Sequence, residues 1–190
     1  MTDPHEVQFE LLDNADLDAN IEVNVFLRRF HGTQAAVPPP AIVRELVQGL
    51  QGLPDPVTSV ARAGGDVVGA ATAWTPVMLI KPLLHLKDPM SARKVLTRWR
   101  LFSHMAVAPE QRGLGIGREL VRLLEAECRR GGAVAMFGFA EDLPEPSWPF
   151  YERLGYRILG RGETTLIGGI PSGQGPGRAG RGFDRRLTVH

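Results

Sequence analysis

Three glycines and an arginine crowd the stretch His104-Met-Ala-Val-Ala-Pro-Glu-Gln-Arg-Gly-Leu-Gly-Ile-Gly117. Leu101 to Val107 reads as a strand, and Gly115 to Arg130 as an amphipathic helix with Leu120, Val121, Leu123 and Leu124 turned inward. A strand therefore feeds a glycine-rich turn that opens into a helix. Gly113, Gly115 and Gly117 permit backbone angles that a Cβ opposes and let a ligand come close. The first amides of such a helix have no intrahelical acceptors, and the helix dipole adds partial positive charge there. A pyrophosphate suits that site. A dinucleotide fingerprint would want its first glycine near the strand end, but Pro109-Glu110-Gln111-Arg112 intervenes. A Gly-Lys-Ser/Thr phosphate loop is missing too.

Other reactive groups are few. Tyr151, in Trp148-Pro-Phe-Tyr-Glu-Arg-Leu-Gly-Tyr156, carries a phenol that is protonated at neutral pH. It also reads as a core aromatic. His104 offers an imidazole and reads equally as a packed strand histidine. Glu141, Asp142 and Glu145 follow the apolar strand Ala133 to Phe139, either as a site for a cationic acceptor or as an exposed acidic loop. The single cysteine, Cys128, excludes an intrachain disulfide and reads as a buried, inert thiol.

The turn resembles motif A of the GNAT superfamily, Arg/Gln-x-x-Gly-x-Gly/Ala, with Arg112, Gly115 and Gly117 in its places. Trp148 to Tyr156 is similar to that family's second signature, Phe/Leu-Tyr-x-x-x-Gly-Phe/Tyr, and follows in the family's order. The likeness spans roughly Val7 to Leu159 and is strongest over 101–160. It implies an α/β (α+β) domain whose central sheet is mixed, mostly antiparallel and twisted, with about six to seven strands and helices on both faces. It also implies direct transfer of the acetyl group of acetyl-CoA to a primary amine, with no covalent enzyme intermediate and no metal. Carried over, Arg112, Gly113, Leu114, Gly115, Ile116, Gly117 and Arg118 cradle the CoA pyrophosphate. Backbone groups of Met105, Ala106 and Val107 pair with the pantetheine arm. Tyr151 becomes the general acid for the departing thiolate. His104 is a candidate general base, with Glu141 and Asp142 as alternatives. The sequence departs from the second signature upstream of the tyrosine, where Glu145 and Trp148 stand beside Pro144, Pro146 and Pro149, which predicts a distorted or shortened helix start.

The positioning elements follow from periodicity and breakers. Val7 to Leu12 alternates as a strand, and Asp13 or Asn14 caps a helix from Ala15 to Phe30. Ile42 to Leu50 has helical spacing. Val57 to Ala63, Gly64-Gly65 and Asp66 to Trp74 read as a hairpin. The proline-interrupted, basic insertion 75–100 reads as a solvated excursion or as a lid facing phosphate, with a helix over Ser91 to Trp99. Ser147 caps a short helix stopped by Gly155, and Tyr156 to Leu159 and Thr164 to Ile167 read as strands. Gly168 to Gly182 reads as a mobile loop before a last strand, Phe183 to Val189.

A chain of 190 residues, 43% hydrophobic and 23% charged, fits one globular domain. Its formal net charge of +1 gives no case for nucleic acid or a membrane surface. Met1 to Glu10 lacks an apolar run, so no signal peptide is predicted and a cytoplasmic location is expected. A homodimer is compatible with a small soluble enzyme. Two competing functions are compatible with the sequence: a CoA-binding sensor without turnover, and acyl transfer onto a macromolecule such as a protein N-terminus, a lysine or charged tRNA.

Overall fold

A computed structural model describes residues 6–31, 53–86, 88–141, 146–172 and 180–187. The chain opens with β1 (Val7–Leu11) and α1 (Leu17–His31), and continues at the hairpin β2 (Val57–Ala63) and β3 (Asp66–Trp74). Next come α2 (Ile80–Leu86), α3 (Pro89–Arg98), β4 (Trp99–Val107) and α4 (Ile116–Arg130). β5 (Ala135–Glu141), α5 (Trp148–Arg153) and β6 (Arg157–Ile158) follow. β7 (Thr165–Ile167), β8 (Ile170–Ser172) and β9 (Gly180–Arg186) complete the described chain.

Seven strands form one mixed, mainly antiparallel sheet in the order β1-β2-β3-β4-β5-β9-β6, and only β4 and β5 run parallel. The Gly64-Gly65 turn, with φ of 59° and 96°, closes the β2–β3 hairpin as its sequence demands. The eight β3 residues after Asp66 are apolar or small, and Val68 to Trp74 is buried throughout because helices cover both faces. Gly69 lets α4 approach: a Cβ there would sit 3.0 Å from Leu120 and 3.1 Å from Ile116. On α1, Val23, Phe26 and Leu27 join the same core, as their spacing predicts, whereas Phe30 is 36% exposed.

Several sequence expectations need correction. Asp16 caps α1, its carboxylate accepting from the Ala19 amide at 3.0 Å, while Asp13 binds Ala15 locally. The insertion 75–100 is no plain solvated excursion. Leu79, Leu83, Ala92 and Leu96 bury a second core with Phe137, Ile167 and Ile170. Nor does α3 face the glycine turn, since it enters β4 at Trp99, about 26 Å of strand away from Val107. Arg100 is only 1% exposed, and burial holds its pKa below the usual value. β8 lies within the predicted loop, paired with β7 around Gly168-Gly169, and β9 begins three residues earlier than expected. The predicted helix over Ile42 to Leu50 lies outside the described residues. No described helix is long and apolar enough to cross a membrane.

Candidate active site

The central feature is a gap between two parallel strands. β4 and β5 pair only from Trp99↔Ala135 to Phe102↔Gly138. Beyond that, β4 stays with β3 as far as Val107, and β5 stays with β9 as far as Glu141. The parting begins where Ser103 is an extra residue in β4, since Thr72 and Ala73 pair with His104 and Phe102. The Ala108 amide donates to Val68 at 2.8 Å, so alternation turns the backbone groups of Met105 and Val107 away from β3, into the gap. Both carbonyls are found there by side chains: His31 Nε2 donates to Met105 O at 2.9 Å and Arg112 Nε to Val107 O at 3.2 Å.

The β4 edge runs straight into the glycine turn. Gly113 and Gly115 adopt φ of 81° and 83°, the left-handed region that favours glycine, and Gly115 is the N-cap of α4. The Glu119 amide is the first to bond within the helix, to Gly115 O at 3.2 Å, which leaves the Ile116, Gly117 and Arg118 amides to face the turn. Gly113 is exposed with open space around it. Gly117 differs in purpose, because a Cβ there would stand 3.3 Å from the Phe150 ring, so this glycine packs α4 against α5. Arg112, though exposed, braces the turn through Val107, and the Arg118 guanidinium folds back over Gly115.

Tyr151 sits on α5 beneath the gap, 7% exposed. α5 has six residues, begins without a side-chain cap from Ser147 and carries Pro149 in its first turn, the shortening that the prolines foretold. Gly155 stops it at φ 84°. The Tyr151 ring stacks on Phe183 at 4.0 Å and meets Phe102, Phe150 and Tyr156 edge-on. Burial drives its phenol well above the usual pKa, so the hydroxyl stays protonated.

His104 does not join Tyr151. It pairs with Thr72, and its ring lies 6.4 Å from Trp74 and 5.4 Å from His31 of α1. Phe102, on the other side of the extra residue Ser103, faces Tyr151. The bulge thus hands β4 side chains from one sheet face to the other, leaving the imidazoles on the α1 face and the phenol on the α5 face. Burial, with the neighbouring His31, pushes His104 down to about 4, so it stays neutral but accepts a proton poorly. Its Nδ1 lies 2.8 Å from Ser103 Oγ. Glu141 is exposed at the end of β5, and Asp142 and Glu145 lie outside the described residues.

Four further residues build the site without a local signal in the sequence. Gly138, the last β5 residue paired with β4, would overlap the Phe183 ring if it had a Cβ, which would also lie 2.9 Å from Phe102 O. Its bareness lets Phe183 of β9 reach under the gap. Glu125 of α4, 7% exposed, pairs with Arg185 at 3.2 Å, and Arg185 donates to Leu154 O at 2.6 Å. That chain of contacts ties the glycine-turn helix to the end of the tyrosine helix. Cys128 is fully buried and its thiol is pushed up to about 11, chiefly by burial, so it is inert as expected.

Comparison with known proteins fits this geometry. Solved structures similar to the chain include an acetyltransferase of the GNAT family from Staphylococcus aureus Mu50, at 13% identity and TM-score 0.59 over 96% of this chain and 100% of that one. Another is yncA from Salmonella typhimurium with its cofactor acetyl-CoA, at 19% identity and TM-score 0.58 over 97% and 96%. A third is aminoglycoside 6'-N-acetyltransferase complexed with coenzyme A, at 15% identity and TM-score 0.60 over 96% and 98%. No curated protein matches the sequence. These likenesses establish a shared fold. The sequence profile of the Acetyltransferase (GNAT) family matches residues 28–156, and the chain belongs to that family.

Proposed function

We propose that this protein transfers the acetyl group of acetyl-CoA directly to a primary amine. The observation that carries the reading is the β4 edge at Met105 and Val107, left without a strand partner on the β5 side, which continues into the Gly113–Gly115 turn and the free amides of α4. An extended amide-bearing arm would pair with that edge as a strand does, and its pyrophosphate would end on the helix amides. The acetyl-CoA bound by the Salmonella relative supports the same donor here.

The chemistry then needs three services. Edge amides hold the carbonyl oxygen as it gains charge. A group on the amine side accepts a proton, because lysine-like amines have pKa near 10.4 and attack only when neutral. Tyr151, held protonated by burial, donates to the departing sulfur.

The test is acetyl-CoA-dependent CoA release with pooled small amines, polyamines, aminoglycosides, amino acids and peptides, run on wild type and Tyr151→Phe. A thiol reagent requires an enzyme-only blank for Cys128. Release that needs an amine and falls about 10²-fold or more in the variant is expected. Acetyl-CoA binding by thermal shift without release from any pool would replace this reading with a sensor. The absence of both binding and release would refute it.

A further inference from the structure

We propose that His31, the last residue of α1, takes the proton from the attacking amine; this rests on the acetyl transfer argued above. His31 Nε2 stands 2.9 Å from the Met105 carbonyl oxygen. A carbonyl only accepts, so Nε2 must carry the hydrogen, and in the neutral ring Nδ1 is left with the lone pair. The tautomer is therefore fixed by a backbone group of the very edge that would hold the acetyl donor. His31 is exposed as a residue, and no described hydrogen bond engages its Nδ1.

The position on the sheet completes the case. His31 reaches the gap from the α1 face, while Tyr151 lies on the opposite, α5 face. A thioester held between them is open to an amine from one side and to an acid from the other. The amine nitrogen bonds to the carbonyl carbon, and the C–S bond breaks. The amine proton passes to His31 Nδ1 and on to solvent. The sulfur takes the Tyr151 proton, and the phenolate is reprotonated from solvent.

His104, against the His31 ring, remains neutral and so does not oppose a positive charge there. On α1 itself the nearest charges in sequence are Arg28 and Arg29, and Arg28 is one helical turn back. From β3, which also packs on α1, the single titratable side chain is Asp66, at the far end beside Ala63, and Arg62 of β2 is ion-paired with Glu22, nine residues before His31.

The experiment uses His31→Gln, whose side-chain amide can keep donating to Met105 O but cannot titrate. Acetyl-CoA affinity and thermal midpoint are expected to stay at wild-type values, with kcat/KM down about 10²-fold. A lysine-like amine alone gives log kcat/KM a slope of about one against pH, and a titrating base adds about one more at the acid end. That second unit should be present in wild type and in His104→Asn, and absent in His31→Gln. Wild-type turnover or an unchanged profile in His31→Gln overturns the proposal and leaves acetyl transfer standing. Loss of acetyl-CoA binding in that variant also overturns it, making His31 a cofactor contact. No amine-dependent release from wild type removes both.

Discussion

The rings of Tyr151 and Phe183 lie 4.0 Å apart and within 15° of parallel. One is in α5 and the other in β9, and Phe183 is 1% exposed. Their contact fixes the height of the phenol beneath the gap between β4 and β5. Phe183→Leu should destabilise the fold by about 1 kcal/mol and free the phenol from its stack. We expect kcat to fall about 10-fold with acetyl-CoA affinity unchanged, because in the proposed mechanism a misplaced acid costs rate and not cofactor binding. Steady-state kinetics beside a cofactor titration checks this; an unaltered kcat would make Phe183 mere filling.

Gly138→Ala attacks the same arrangement from the other strand. The new Cβ overlaps the Phe183 ring and crowds Phe102 O, and both belong to the buried core. Overpacking of this kind costs about 1–3 kcal/mol. Chemical denaturation of the variant gives the value, and a loss below the lower figure would mean that β9 moves aside freely.

How legible was this site? The strand, turn and helix from Leu101 to Arg130 could be read because glycine conformation and helix periodicity are local properties. The helix that carries Tyr151 was legible through its signature. The short α5 followed from its prolines. Gly138 and Phe183 were not, since their meeting depends on the pairing of β5 with β9. The bulge at Ser103 leaves no mark in a strand of ordinary residues, so the sequence could not tell that His104 and Tyr151 face opposite sides. His31 was hidden for a similar reason: its partner is a backbone carbonyl 74 residues away. The second core under α2 and α3 went unrecognised because three prolines broke its periodicity.

Half-buried His104 and the buried Tyr151 and Tyr156 shape the pH dependence of stability. His104 has its folded pKa pushed down to about 4, so the unfolded chain binds this proton more readily. Its contribution is full above about 6.5 and is lost as pH falls towards 4. Tyr151 and Tyr156 behave oppositely. Burial raises both, with Glu125 adding to the rise at Tyr156, so their contribution is full below about 10 and lost as pH climbs beyond it. Thermal midpoints across pH should form a plateau between these edges. His104→Asn should flatten the acid edge and leave the alkaline one, and an acid edge unchanged in that variant would assign the loss to other groups.

The glycines of the turn should separate into two kinds when each is replaced. Gly115 holds φ at 83°, where an alanine is strained by about 1–3 kcal/mol, and its place at the start of α4 governs how the first amides face a pyrophosphate. Gly115→Ala should therefore weaken acetyl-CoA binding about 10-fold or more while saturated turnover changes little. Gly117 has an ordinary helical backbone, and its constraint is the Phe150 ring 3.3 Å from a would-be Cβ. Phe150 also packs edge-on against Tyr151 at 5.2 Å. Gly117→Ala should push α5 outward by a few tenths of an ångström, lowering kcat more than affinity. Cofactor titrations and saturating kinetics on the two variants decide between these roles, and equal losses of affinity in both would show that Gly117 also meets the pyrophosphate directly.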